Sequence, residues 1–343
     1  MLPKRQSAPS LVVLANSSGA HMLARMLRVT AVLVVALSSI SGGAAFAVGV
    51  GSKARLANVE PLRTRPLIWE EAPAVGEGVV AWAQNRGPGS ESFDAWVRVG
   101  TSAPRRVNAR RTEGFPGGFD GTRVVYQQID EPENNDSDLW IYDVASSSRV
   151  KLGRRINTDA WEWGASLAGD WVLFGRGRLQ GIFDPGNRVV LLVNRATGER
   201  RELAKTDSLD VEVYPGQVSG NYAVWSVCRD RSARTLCDTF RHDIENRDTR
   251  KLPSGGAPQQ FAASVTSSGA VYAARGGIRC GAATRLVRLD PGVSAKVILR
   301  FPRGTEPMRT SAYQRDTGET EIGFDRSDCS ARRSDTFRVI DTP

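Results

Sequence analysis

Histidine is scarce in this chain, with two residues among 343. His21 precedes an expected cleavage site, so only His242 would remain in the mature protein. One histidine cannot build a metal site of several imidazoles, and a catalytic triad also needs a nucleophile and an orienting group placed around the base. His242 occupies the strand position that Tyr142 holds in another repeat. The pattern therefore favours a structural strand residue over a catalytic base beside Asp243.

Other signatures of common sites are missing as well. No Gly-x-Ser-x-Gly stands between a strand and a helix, no Cys-x2-Cys pair points to zinc, and no sialidase-like box occurs. The formal net charge is +9, but no compact basic run has interleaved aromatic residues. Nucleic-acid binding is therefore not expected. No apolar run reaches the roughly 20 residues of a membrane-spanning helix, so no span is expected after cleavage.

The N-terminal region has the three parts of a secretory signal peptide. Arg25 and Arg28 precede the apolar run Val29 to Leu37, and Ala45-Phe46-Ala47 supplies a small-x-small cleavage site. We expect cleavage after Ala47, with residues 1–47 as the signal peptide and 48–343 as the mature chain. Met22 or Met26 is an alternative start. An extracytoplasmic location follows from this interpretation.

Six repeats follow the signal peptide. Turn positions recur at 76, 121, 169, 220, 267 and 318, and each is followed by an apolar or aromatic strand. In the clearest copy, Val124 to Tyr126 and then Leu139 to Tyr142 have apolar residues at consecutive positions, as in strands buried on both faces. An aromatic residue stands six positions before four of these turns. These residues are Phe115, Trp163, Tyr214 and Phe261.

Each repeat offers four short strands that cannot bury two apolar faces alone, and a closed ring of six such units can. We therefore predict an all-β, six-bladed β-propeller in a single domain, 48–343. The predicted blades are roughly 70–108, 113–152, 161–204, 210–253, 259–300 and 308–343. The last copy stops after its third strand, so residues 57–67 are predicted to supply its outer strand and close the ring. Pro61 and Pro66 suit such an edge position.

The turns GFDG, SLAG and QVSG, each followed by V-V-Y-like and D-L-W-x-Y-D-like strands, resemble the TolB-type, WD40-like propeller repeat. The resemblance covers about residues 57 to 341. It implies the same fold, but propellers of this kind serve as scaffolds, as partners in envelope complexes and as gates on hydrolases, so it implies no single function.

The four cysteines all follow the export signal, which favours disulfides. Cys228 and Cys237 flank one hairpin loop, whereas Cys280 and Cys329 fall in the same loop of the next two blades. We predict the pairs 228–237 and 280–329, the second joining adjacent blades, although four cysteines allow three pairings.

Two candidate sites remain. Trp161, Trp163, Tyr214, Arg154 and Arg155 lie in or next to the links between blades and are predicted to form an aromatic and basic rim at the channel mouth. For Trp163 and Tyr214 packing between blades is favoured, so Trp161 is the better surface candidate.

The acidic run from residue 130 to 138 offers carboxylates for calcium at a hairpin tip, with a solvated tip as the default. Its candidate ligands are Asp130, Glu131, Glu133, Asp136 and Asp138. The run lacks the glycine and glutamate spacing of an EF-hand loop.

The function that this sequence favours is a secreted, monomeric, non-catalytic binding module without metal or organic cofactor. Its contact surface would be the loop face that carries the disulfides, and its partner a protein or a cell-envelope polymer. One alternative is a propeller hydrolase or lyase, of carbohydrate or lactone type, with carboxylates at the channel mouth. Another is a structural component of a cell-envelope assembly.

Overall fold

The computed structural model describes residues 59–63, 68–130, 136–177, 188–231, 234–257, 259–276, 283–290, 292–328 and 333–342. They belong to one compact unit, Ala54–Pro343. The predicted signal peptide lies outside the described residues. Every regular element in these ranges is a β-strand.

Five sheets have four strands in sequence order, and a sixth contains both ends of the described chain. Blade one comprises β2 (Glu70–Gly76), β3 (Val79–Asn85), β4 (Phe93–Val99) and β5 (Arg105–Arg106), and blade two β6 (Glu113–Asp120), β7 (Arg123–Ile129), β8 (Asp138–Asp143) and β9 (Ser148–Lys151). Blade three comprises β10 (Trp161–Ala168), β11 (Trp171–Gly177), β12 (Arg188–Asn194) and β13 (Arg200–Thr206), and blade four β14 (Val211–Ser219), β15 (Tyr222–Arg231), β16 (Arg234–Asp243) and β17 (Asp248–Lys251). Blade five comprises β18 (Gln260–Val265), β19 (Val271–Arg275), β20 (Arg285–Leu289) and β21 (Lys296–Arg300). Blade six contains β22 (Thr305–Glu306), β23 (Thr310–Gln314), β24 (Thr320–Asp328), β25 (Arg333–Asp341) and β1 (Val59–Arg63).

The consecutive apolar residues of β7 serve two neighbouring blades. Val124 and Tyr126 belong to the core shared with blade one, where they meet Val97. Val125 points the other way and packs with Phe174 of blade three. Burying each such side chain contributes roughly 1.5 to 3 kcal/mol. The predicted burial on both faces is confirmed, and it explains why these strands show no polar alternation.

The ring closes as the sequence predicts, with β1 as the outer strand of the last blade. β1 pairs antiparallel with β25, and Val59 lies opposite Val339. Glu60 accepts hydrogen bonds from Arg338 of β25. Leu62 is buried against blade one. The six-bladed propeller is therefore confirmed, together with its closing N-terminal strand.

Two turns between first and second strands differ from the predicted alignment. Gly121 has a left-handed φ of 57° at its turn, as expected for glycine. In blade one, however, the left-handed residue is Gly78 rather than Gly76, which lies within β2. In blade five it is Gly269 rather than Ser267. Glycine spacing thus located each repeat but missed two turn positions by two residues.

The ring has two unlike ends. We call the end where the innermost strands β2, β6, β10, β14, β18 and β23 begin the link face, because the chain enters each new blade there. The opposite end, with the turns between first and second strands, is the turn face.

Candidate functional site

On the link face, polar side chains of the second strands hold the incoming links. Gln128 accepts a hydrogen bond from the backbone N–H of Ala109 at 3.1 Å. Arg176 donates to the carbonyl oxygen of Ile156 at 2.6 Å. Buried backbone groups need such partners, so these residues have a structural role close to the channel mouth.

Below the mouth, one glutamine spans the central channel. Gln217 on β14 of blade four donates through Nε2 to the carbonyl oxygen of Ala312, at 2.8 Å. Its Oε1 accepts the N–H of the same residue, at 2.9 Å. Ala312 lies on β23 of blade six, so the side chain reaches past blade five. Gln217 thus provides hydrogen-bond partners for the backbone N–H and C=O groups at the channel-facing edge of β23, as a neighbouring strand would.

Close backbone approach narrows the ring around this glutamine. A Cβ atom at Gly117 would overlap the carbonyl group of Ala165 in the next blade, and one at Gly216 would overlap that of Ala263. The hydroxyl of Ser166 accepts the backbone N–H of Val218 across the same kind of seam, at 2.8 Å. The channel is therefore packed with polypeptide at this depth.

Glu162, at the link-face end of β10, is a fully buried carboxyl group. Its Oε1 accepts hydrogen bonds from Thr158 Oγ1 at 2.8 Å and from Arg176 Nε at 2.9 Å, whereas Oε2 has no partner among the described residues. Burial raises the pKa of Glu162 to about 8, against the opposing effects of Thr158 and Arg176. Glu162 and Arg176 together fix the link between blades two and three.

Asp325 performs the corresponding task for the link between blades five and six. Its Oδ1 accepts the backbone N–H groups of Met308 and Arg309, at 2.8 and 2.7 Å. Its Oδ2 lies 3.5 Å from the N–H of Ala72. Burial raises the pKa of Asp325 to about 6, although the two N–H donors act in the opposite direction.

The mouth of the link face displays large apolar side chains. Eight such side chains are exposed in the described residues, and four of them lie either in the two residues before an innermost strand or among its first four residues. These four are Trp69 (39% exposed), Leu209 (54%), Tyr214 (45%) and Met308 (45%), and we call them the mouth cluster. The ring of Trp69 makes an edge contact with Phe93, with 5.9 Å between the ring centroids. Phe93 in turn contacts Phe115, with 5.3 Å between their ring centroids.

The structure separates the five predicted rim residues. Trp161 is half-buried at the first position of β10, and Arg154 is exposed in the preceding link. Trp163 packs its ring over Gly175 and Gly177 of its own blade. Tyr214 is the most exposed of the three aromatic residues, and its hydroxyl donates a hydrogen bond to Glu212.

Arg155 is the fifth predicted rim residue, and its side chain is exposed. Its guanidinium packs against Gly198, in the turn between β12 and β13. The predicted set thus divides between the mouth and the body of blade three.

Sequence reasoning did not single out Trp69. A signal for it exists, because Trp69-Glu70 and Trp161-Glu162 are the same dipeptide at the start of two innermost strands, and both glutamates are fully buried. Leu209 and Met308 carry no comparable pattern.

The predicted calcium loop is only partly described. Glu131 and Glu133 lie outside the described residues. Asp130 accepts a hydrogen bond from Gln128 Nε2 at 2.6 Å, and Asp138 pairs with Lys151 Nζ at 2.5 Å. Burial, then the nearby charge of Asp138, raises the pKa of Asp136. Within the described ranges, no group of three or more acidic, histidine or cysteine side chains is placed to hold a metal ion.

The Cys228–Cys237 disulfide is present and joins directly opposite residues of β15 and β16. Phe261 packs against it from the next blade, so the bond is part of an interblade core. Cys280 and Cys329 lie outside the described residues, and their pairing stays a prediction.

His242 is buried on β16. Its Nδ1 lies 2.9 Å from Thr249 Oγ1 and its Nε2 lies 3.0 Å from Arg201 Nη1. Burial, then the charge of Arg201, lowers the pKa of this imidazole, which favours the neutral form. Both ring nitrogens are thus engaged by the blade.

In the part of the chain that the structure describes, no helix is long and apolar enough to cross a membrane.

No protein-family model matches the chain, and no curated protein does. Solved structures do match. A protein of unknown function from Dyadobacter fermentans superposes with a TM-score of 0.53 at 11% identity, over 83% of this chain and 97% of that one. The likeness is one of fold. The β-propeller domain of the trilobed protease from Pyrococcus furiosus gives a TM-score of 0.49 at 9% identity, over 81% and 94% of the two chains.

TolB from Acinetobacter baumannii gives a TM-score of 0.48 at 12% identity, over 77% of this chain and 64% of TolB. This chain therefore covers less than two thirds of TolB. At these identities the matches extend to the propeller architecture and leave substrates and partners open.

Proposed function

We propose that this protein is an extracytoplasmic, non-catalytic binding module whose link face contacts a protein partner. The observation that carries the proposal is the mouth cluster, in which four exposed large apolar side chains stand at the mouth of a channel that Gln217 spans. Large apolar side chains exposed on one face of a protein are typical of interaction surfaces.

The composition of the cluster suits a protein partner. Trp69 and Tyr214 are residue types that dominate binding energy in protein interfaces. Arg154 and the half-buried Trp161 would extend the same surface with a cation and a second indole. Propeller loops held by a rigid ring are a common place for binding residues. A cell-envelope polymer is the alternative ligand, and membership of an envelope assembly would differ in the identity of the partner alone.

The competing enzyme hypothesis has one observation in its favour, the raised pKa values of Glu162 and Asp325 near the channel mouth. Both carboxyl groups, however, hold the links between blades. Glu162 is bound by Thr158 and Arg176, and Asp325 is bound by two backbone N–H groups. Raised pKa values from structural burial are the simpler account, so the binding function is preferred.

An exported protein fits these features. The Cys228–Cys237 disulfide is of a kind that persists in oxidising compartments. Residues 1–47 as a cleaved signal peptide, and a second disulfide between Cys280 and Cys329, complete this proposal.

The experiment compares the purified protein with the double variant Leu209→Asp/Tyr214→Ala as bait for the extracytoplasmic fraction of the source cells. Val293→Asp is the matched control, because Val293 is an exposed apolar residue (63%) in the turn between the last two strands of blade five, at the turn face. We expect a protein that the wild type and the control retain and that the double variant loses.

A crosslinker placed at position 214 should then join the same protein. Retention by all three baits would refute the link face as the contact surface. A captured polysaccharide in place of a protein would select the polymer alternative.

A further inference from the structure

The opposite end of the ring carries a second feature that the proposed function does not use. A cleft of about 640 Å³ lies on the turn face between blades one and six. Arg98 near the end of β4, Arg338 of β25 and the turn of residues 100–104 line it. This volume falls within the roughly 300 to 1,000 Å³ of small-molecule sites.

Arg98 is a cation with no ion-pair partner in the described part of the chain. None of its guanidinium nitrogens has a hydrogen-bond or ion-pair partner among the described residues, and its Nε is buried. An unpaired guanidinium that lines a cleft can gain charge-assisted hydrogen bonds from an anion bound there. Arginine suits carboxylate and phosphate groups because its planar fork donates two parallel hydrogen bonds.

Arg338 forms the other wall and is already fixed. Its Nε and Nη2 donate to Glu60 at 2.9 and 2.6 Å, and its Nη1 donates to Glu321 at 3.0 Å. These two carboxylates are thus engaged by Arg338, and Glu60 is exposed to water, which screens its charge from Arg98.

The turn adds hydroxyl groups to the lining. Ser102 Oγ accepts the backbone N–H of Val99 at 3.3 Å, which leaves its own proton available to a ligand oxygen. Thr101 stands beside it and is exposed. Arginine with neighbouring hydroxyls is a donor set for oxyanions.

We propose that the cleft between blades one and six binds the carboxylate or phosphate group of an anionic ligand, with Arg98 as its anchor. The site lies on the turn face and does not depend on the link-face function. Its size allows a sugar-sized molecule beyond the anionic group itself.

The test titrates the isotopically labelled protein with inorganic phosphate and, separately, with glucuronate, at constant ionic strength. Amide resonances of residues 100–103 and the Arg98 Nε resonance are followed by NMR. Arg98→Gln should weaken binding about tenfold or more, since a charged hydrogen-bond donor is lost. Arg250→Gln is the matched control, because Arg250 is an exposed arginine that pairs with its near neighbour Asp248.

Ala103→Glu provides a second variant in case Arg98→Gln fails to fold. Ala103 is exposed in the lining turn, so a glutamate there would compete for Arg98 without removing it. Saturable binding that Arg98→Gln or Ala103→Glu weakens about tenfold or more, and that Arg250→Gln preserves, would support the site. Binding of phosphate alone or of glucuronate alone would identify the source of the anionic group. No saturable shift with either probe, or equal binding by wild type and Arg98→Gln, would overturn the proposal.

Discussion

Gln217 offers the sharpest test of how the ring is closed at its centre. Gln217→Met removes both hydrogen bonds to Ala312 while keeping most of the side-chain volume, and Gln217→Ala removes the volume as well. Each buried hydrogen bond contributes roughly 0.5 to 1.5 kcal/mol. Loss of the pair should therefore lower the free energy of unfolding by about 1 to 3 kcal/mol, with the alanine variant at the upper end.

Two assays separate this local effect from general destabilisation. Urea denaturation gives the change in the free energy of unfolding. Native-state hydrogen exchange at the amide of Ala312 reports the bond itself, because β23 is an innermost strand and this N–H points into the channel toward Gln217. The amide should exchange faster in both variants, and it should lose more protection than the amides of β7 in blade two, which should lose at most the change in the free energy of global unfolding.

Unchanged protection at Ala312 in Gln217→Met would contradict this role of the glutamine. That result would mean that another group, or trapped water, satisfies the edge of β23. A uniform loss of protection in all blades would instead show that the glutamine supports the whole ring.

Three further predictions concern the rest of the chain. Glu162→Gln should remove a pH dependence of stability. Because burial raises the pKa of Glu162 to about 8, the wild type should lose stability as pH rises from the ordinary glutamate range through that value, by at most about 1.4 kcal/mol per unit of pKa shift. Parallel profiles of stability against pH for the two proteins would contradict this. Replacing Cys228 and Cys237 by alanine should lower the free energy of unfolding by about 2 to 3 kcal/mol, because the disulfide restricts a short loop of the unfolded chain. Equal urea midpoints with and without the bond would contradict this. Leu62→Ala should lower the free energy of unfolding by about 2 to 4 kcal/mol, because Leu62 packs β1 against blade one. A change below about 0.5 kcal/mol in the same assay would argue against β1 as a tightly packed closing strand.

The fold could be predicted because its signals are local and repeat. Val124, Val125 and Tyr126 show burial on both faces within three residues, and six copies of such strands in phase leave few architectures. The closing strand was also predictable, since a three-stranded last copy requires a fourth strand and one unused segment precedes blade one.

The candidate surface was harder to predict because it depends on exposure. Tyr214 matches three aromatic residues at its repeat position, yet it is exposed where Phe261 is buried against the disulfide. The bridge from Gln217 to Ala312 joins residues 95 positions apart and has no sequence signature. Arg98 likewise has no sequence signature, because its place in a cleft depends on how blades one and six lie next to each other.

The pairing of β1 with β25 determines when the ring can close during folding. Glu60 and Arg338 are 278 positions apart in the chain, so β1 is synthesised long before its partner strand β25. Closing so long a loop costs chain entropy, and this cost is offset only when the non-local contacts between β1 and β25 form. During synthesis the ring therefore stays open, and β1 has no pairing partner until β25 has been made.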